Sequence, residues 1–156
     1  MATTASMATP ALKRYFTYRL NTLSRLNDWA SQSLYLAGTG LSLPDARCLA
    51  AVGSFSALTL KQLAFEANLD KGQASRSAQA LVERGLITKR PNSIDGRSVI
   101  LSPTGQGLAC WSRIMPLIDQ RNRDLTACLS ADEQQLLLDL FDRMLAHQSS
   151  ARTGSD

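Results

Sequence analysis

Residues 58–107 read LTLKQLAFEANLDKGQASRSAQALVERGLITKRPNSIDGRSVILSPTGQG, and three structural signals succeed one another within them. A short amphipathic segment over 59–67 ends at Asn68-Leu69-Asp70, which breaks one helix and offers Asp70 as the N-cap of the next. The segment 71–84 is basic and polar on one side and small and apolar on the other, and Gly85 closes it as a C-cap. Two strand-like runs follow, 86–90 and 97–102, joined by a loop over 91–96 rich in Pro, Asn, Ser, Asp and Gly. Helix, turn, helix and a two-stranded hairpin is the layout of a winged helix-turn-helix, an architecture that reads DNA.

Charge points the same way. The chain carries 17 Lys+Arg and 13 Asp+Glu, a net of +4. Between Lys71 and Arg97 six basic residues (Lys71, Arg76, Arg84, Lys89, Arg90, Arg97) face two acids, Glu83 and Asp95, so this window alone holds the whole excess. Such a patch suits phosphate neutralisation. On the second helix, Ala74, Ala78, Leu81 and Val82 recur at helical spacing and should pack inward, leaving Gln73, Ser75, Arg76, Ser77 and Gln79 nearer a groove. Gln reads adenine, Arg reads guanine, and Ser adapts to base or phosphate; the pattern leaves open which of them touches a base. Lys71, at the helix start, suits a phosphate contact.

The rest of the chain reads as helix. At 156 residues and 44% apolar content it can bury a core without disulfides or metal, as one domain over 11–147. Residues 12–36 carry Leu12, Phe16, Leu20, Leu23, Leu26, Ala30 and Leu34 as one stripe, and 38–40 break that helix. Leu43-Pro44-Asp45 opens the next, which runs to Gly53, and Arg47 within it needs a partner or an anionic ligand. Residues 104–129 form a long helix that Pro116 should bend. Ser130-Ala131-Asp132-Glu133 is a capping box for a last helix faced by Leu136, Leu137, Leu140, Phe141, Met144 and Leu145. Residues 1–10 and 148–156 read as disordered tails. No run of about 20 apolar residues and no secretory pattern at the start point to a cytoplasmic protein without a membrane partner.

Cys48, Cys110 and Cys128 form no ligand set, and each reads as a small buried hydrophobe; His147 is the lone histidine. No metal, no cofactor and no catalytic residue is expected, because the chain has no phosphate loop and no Ser or Cys nucleophile near a His. An enzyme is therefore the weak reading. A winged helix used only for protein contact would present a neutral or apolar recognition face, whereas the window 71–97 carries the chain's net charge.

The window resembles the DNA-binding core of the MarR family of bacterial transcription regulators. That resemblance lies in Ser75-Arg76 on the recognition helix, the exit Leu81-Val82-Glu83-Arg84-Gly85-Leu86, Arg90 before the wing, Asp95-Gly96-Arg97 on it, and Pro103-Thr104-Gly105-Gln106-Gly107 opening the next helix. Pro103 stands where the family usually has Leu, and Pro before a Thr N-cap still permits a helix start. The likeness extends over about 10–147.

It implies a mainly α fold with a small β wing. The winged helix-turn-helix core over 43–103 would be flanked by dimerisation helices over 11–36 and 104–147 that interleave between two protomers. Such a homodimer sets two recognition helices on a palindromic double-stranded operator. The resemblance further implies that Asp95 braces the wing by pairing with Arg97, that Arg97 reaches the minor groove, and that Arg90 meets phosphate or steadies the wing. Regulators of this kind often act as repressors released by a small aromatic acid. The segment 14–29 resembles those of aromatic-acid catabolism, with Arg19, Ser24, Asn27 and Arg47 as candidate anchors and Tyr15 and Trp111 as walls. A cysteine-oxidation sensor of the same fold is the alternative. Those sensors carry a reactive Cys near the start of the first long helix, where this chain has Tyr15, Phe16 and Tyr18.

Overall fold

The computed structural model describes residues 10–153, with side chains through 150; the expected tail over 1–9 and residues 154–156 lie outside that range. A 3-10 turn at Ala11–Arg14 leads, through Tyr15 in extended backbone, into α1 (Phe16–Thr39). The helix expected over 12–36 thus begins four residues later, since Leu12 and Lys13 are held in i→i−3 bonding (Lys13 N–H to Pro10 O, 3.0 Å). α2 (Leu43–Phe55) starts from Ser42, whose hydroxyl accepts the Asp45 N–H at 3.3 Å, with Pro44 in the first turn. It does not stop at Gly53 but passes through it, because that position lies directly under the Trp111 ring and costs no helical bond.

A two-residue strand, β1 (Leu58–Thr59), follows and was not expected. α3 (Leu60–Glu66) is capped by a Thr59–Gln62 box, in which the Gln62 side chain accepts the Thr59 N–H at 2.8 Å. α4 (Lys71–Glu83) begins at Asp70, whose carboxylate accepts the Gln73 N–H at 2.8 Å, and ends at Gly85 with a φ of 69°. Both boundaries agree with the sequence reading. β2 (Ile87–Pro91) and β3 (Val99–Pro103) form the hairpin, with Lys89 opposite Leu101 and Arg90 opposite Ile100. β1 joins the other edge of β3 through Leu58 and Leu101, so the antiparallel sheet runs β1-β3-β2.

α5 (Gly105–Thr126) passes through Pro116 without interruption, and α6 (Ala131–Thr153) follows the expected box, with the Ser130 N–H donating to Glu133 at 2.8 Å. α6 continues beyond His147 into the segment expected to fray, and the hydroxyls of Ser149 and Ser150 return to the carbonyls of Leu145 and Ala146. The chain divides into two compact units, one ending at Asp119 and one beginning at Gln120. The core of the first unit is built from Leu41, Leu49, Val52, Leu63, Leu81, Ile87, Leu101 and Ile114, all closed to solvent. Each such side chain contributes about 2 kcal/mol of burial. No helix among the described residues is long and apolar enough to cross a membrane.

The junction between wing and α5 tolerates no Cβ at Gly107, which would stand 1.9 Å from the Leu86 carbonyl oxygen. Gly107→Ala should lower unfolding stability by about 3 kcal/mol in urea titrations. Gly105→Ala, with open space around it, should stay within about 0.5 kcal/mol of wild type. Equal midpoints for the two variants would refute the close approach.

Candidate nucleic-acid interface and ligand cleft

The inward stripe of α4 is Ala74, Ser77, Ala78 and Leu81, with Val82 partly covered. Ser77 is 4% exposed, which corrects its expected place at a groove: three residues beyond Ala74 and four before Leu81, it belongs to the buried stripe. Its side chain hydrogen-bonds the Cys48 thiol. Lys71, Ser75, Arg76 and Gln79 are exposed and Gln73 is half-buried, so these five sit outward as expected. Gln79 is engaged along the helix, donating to Glu83 Oε1 at 3.0 Å.

The wing tip is held by its own side chains. Asp95 Oδ1 accepts the Arg97 N–H at 3.1 Å, the Ser98 N–H donates to the Asp95 carbonyl at 3.0 Å, and Asn92 Nδ2 donates to Ser98 Oγ at 2.9 Å. Asp95 therefore braces the main chain at Arg97, whereas the family pattern implied a pairing of side chains. A carboxylate engaged by a backbone N–H leaves the Arg97 guanidinium to project into solvent.

Between the wing and the starts of α3 and α4 lies a concavity of about 430 Å³ lined by Lys61, Lys71, Lys89, Asp95 and Arg97, together with Thr59 and Ser98. Four cations against one carboxylate make it strongly positive. Lys61 and Lys89 were not among the expected site residues. Lys61 lies outside the basic window, and only its place two residues after the Thr59 cap could have indicated it. Arg90 does not line this concavity: strand alternation sends it to the face of β2 opposite Lys89. At the far end of α4, Arg84 Nη1 donates to the Gly40 carbonyl at 3.0 Å, tying α4 to the end of α1.

A second cleft, of about 230 Å³, opens among α1, α2, the end of α3 and α5. Of the six expected ligand contacts it brings in two, Asn27 and Arg47, beside Ser31, Tyr35, Glu66 and Ile114. Tyr15, Arg19 and Ser24 are exposed on α1 or just before it, and Arg19 Nε donates to the Lys13 carbonyl at 3.1 Å. Trp111 faces Gly53, its Nε1 donating to Ser54 Oγ at 3.2 Å. Stripe position alone did not reveal which side of α1 or α5 meets the cleft. Arg47 has the partner its setting demanded: both its Nη atoms face the carboxylate of Asp28.

The MarR family model matches residues 39–98, which run from the end of α1 to the wing. Over that segment the chain is similar to the MarR family, and the elements it spans are those of a winged helix. Over 105 residues the chain is 25% identical to the HTH-type transcriptional regulator BilQ of Clostridium symbiosum, covering 67% of this chain and 73% of that protein. The fold matches a cysteine-to-serine mutant of MarR from E. coli complexed with operator DNA, at a TM-score of 0.70 and 23% identity over 83% of this chain and 92% of that one. It also matches the PcaV regulator from Streptomyces coelicolor in complex with its natural ligand, at a TM-score of 0.69 and 25% identity over 90% and 98% of the two chains.

The thiols of this MarR-like chain differ in setting. Cys48 and Cys110 are buried as expected; Cys128 is exposed, contrary to expectation, because it falls in the turn between α5 and α6. Burial, with a smaller push from the Asp45 charge, raises the Cys48 thiol from 9.0 to about 12, against a lowering hydrogen bond from Ser77. It is therefore protonated and unreactive near neutrality, which weakens the oxidation-sensor alternative for this residue. Native protein treated with a disulfide reagent at pH 8 should label at Cys128 and leave Cys48 untouched until unfolding. Because the folded thiol ionises above the unfolded one, its contribution to stability is full below pH 9 and is lost as pH rises toward 12. A Cys48→Ala variant should show a shallower stability loss across that window. Rapid labelling of native Cys48 would contradict the burial.

Proposed function

We propose that this protein is a homodimeric transcription regulator that holds a palindromic DNA operator as a repressor and releases it when a small aromatic effector enters the cleft. The observation that carries the DNA part is the positive concavity of Lys61, Lys71, Lys89 and Arg97 beside the outward face of α4. Phosphates attract such a surface, and Ser75 and Arg76 are left free of the core to meet base edges. The E. coli MarR structure with operator DNA and the BilQ name support the same reading by likeness. A protein that works on the chromosome belongs in the cytoplasm.

The dimer is supported by apolar surface. Leu20, Leu23 and Leu26 on α1 are exposed, and so, on α6, are Leu136 (57%), Leu137, Leu140 and Leu145 (62%), so that each helix keeps a run of leucines open to solvent. A second copy covers such faces by two-fold symmetry. The aromatic effector is supported by the apolar walls of the cleft, Tyr35, Leu43, Ile114 and Ile118, and the PcaV structure holds its own ligand. The acid group has less support, since Arg19 lies elsewhere and Arg47 is already paired.

Fluorescence anisotropy on the DNA upstream of the protein's own coding region, against a scrambled duplex, tests the reading. Arg97→Ala or Lys61→Ala should weaken binding to any sequence and lower the salt slope by about one unit for each phosphate left without its cation. Arg76→Ala should cost about 1–3 kcal/mol on the operator and less on scrambled DNA. Equal affinity for both duplexes would contradict a sequence-reading regulator. Separately, Leu136→Glu with Leu140→Glu should convert a two-chain mass to a one-chain mass in light scattering; an unchanged mass removes α6 from the interface.

A further inference from the structure

We propose that the cleft among α1, α2, α3 and α5 takes a protonated aromatic amine in preference to an aromatic carboxylate. The inference rests on the reading of that cleft as an effector site and assigns the ligand's charge.

Arg47 is the cation that could receive a carboxylate. Its two Nη atoms already meet the two carboxylate oxygens of Asp28 in fork-to-fork fashion, with Nη1 at 3.3 Å from Oδ2. That is the geometry in which guanidinium binds carboxylate best, and it uses the edge a ligand would need. Asp28 is carried on the neighbouring helix and stays at hand, so a ligand carboxylate would compete with a tethered one.

With that pair neutral, the remaining charged side chain on the lining is Glu66. On α1, Asn27 Oδ1 is an acceptor, taking the Ser31 hydroxyl at 3.4 Å. Tyr35 contributes an aromatic wall, which suits a cation, and Leu43, Ile114 and Ile118 contribute apolar surface for a ring. An ammonium near Glu66 joined to an aromatic body against the isoleucines satisfies both halves of the lining.

The test uses the full-length protein and a pair of probes matched in shape, phenethylamine and 3-phenylpropanoate, titrated by calorimetry and thermal shift. The amine should bind about tenfold more tightly than the carboxylate. Glu66→Gln, an exposed substitution, should erase that preference, and Asp28→Ala, by freeing Arg47, should shift it toward the carboxylate. A tighter carboxylate in the wild type, amine affinity indifferent to Glu66→Gln, or binding of neither probe at millimolar concentration would each overturn the proposal. Operator DNA added at saturating amine separates the two readings. An amine that binds by way of Glu66 but leaves DNA affinity unchanged upholds the ligand class while removing the cleft's effector role.

Discussion

The hydroxyl of Thr104 holds together the three parts on which everything else depends. It donates to the Gly85 carbonyl at 2.7 Å, where the recognition helix exits, and it accepts the Gly107 N–H at 3.0 Å, where α5 begins. The Thr104 N–H meanwhile donates to the Leu86 carbonyl at 3.0 Å, beside which Gly107 packs without a side chain. One residue thus fixes where the chain leaves α4, where it leaves the wing and how α5 starts. This half-buried polar junction is satisfied only when all its members are in place, so it favours one arrangement.

Much of this was legible in residues with a single conformational use. Asp70 and Ser130 announce helix starts, Gly85 an ending, and the loop over 91–96 a hairpin, because each offers the backbone a bond or an angle that few alternatives match. Strand β1 was not legible: two residues show no periodicity, and Leu58 and Thr59 pair with β3 only because the sheet already exists. Nor was the depth of Ser77 legible, since a serine on a basic helix reads as polar surface until Cys48 is found behind it.

The candidate sites divide along the same line. The outward positions on α4 other than Ser77 followed from one helix's periodicity, and Lys71, Ser75, Arg76 and Gln79 stand exposed as that periodicity put them. The cleft needed four elements at once, and no stripe on α1 could tell that Asn27 faces it while Ser24, nearly one turn earlier, does not. Lys61 joined the basic face by tertiary approach of α3 to the wing, which local charge counting does not reach.

α5 is gripped at two places along its length. Near its start Gly107 is pressed onto Leu86, and about two turns on, some 10 Å along the axis, Ile114 forms part of the cleft wall. Between Ile114 and Ile118 stands Pro116, which has no N–H to return to the preceding turn. The helix is therefore stiff from the cleft back toward the wing and weakened just where the cleft touches it. One continuous helix thus borders both the cleft and the exit of α4, so a change of its tilt at either place would be felt at the other.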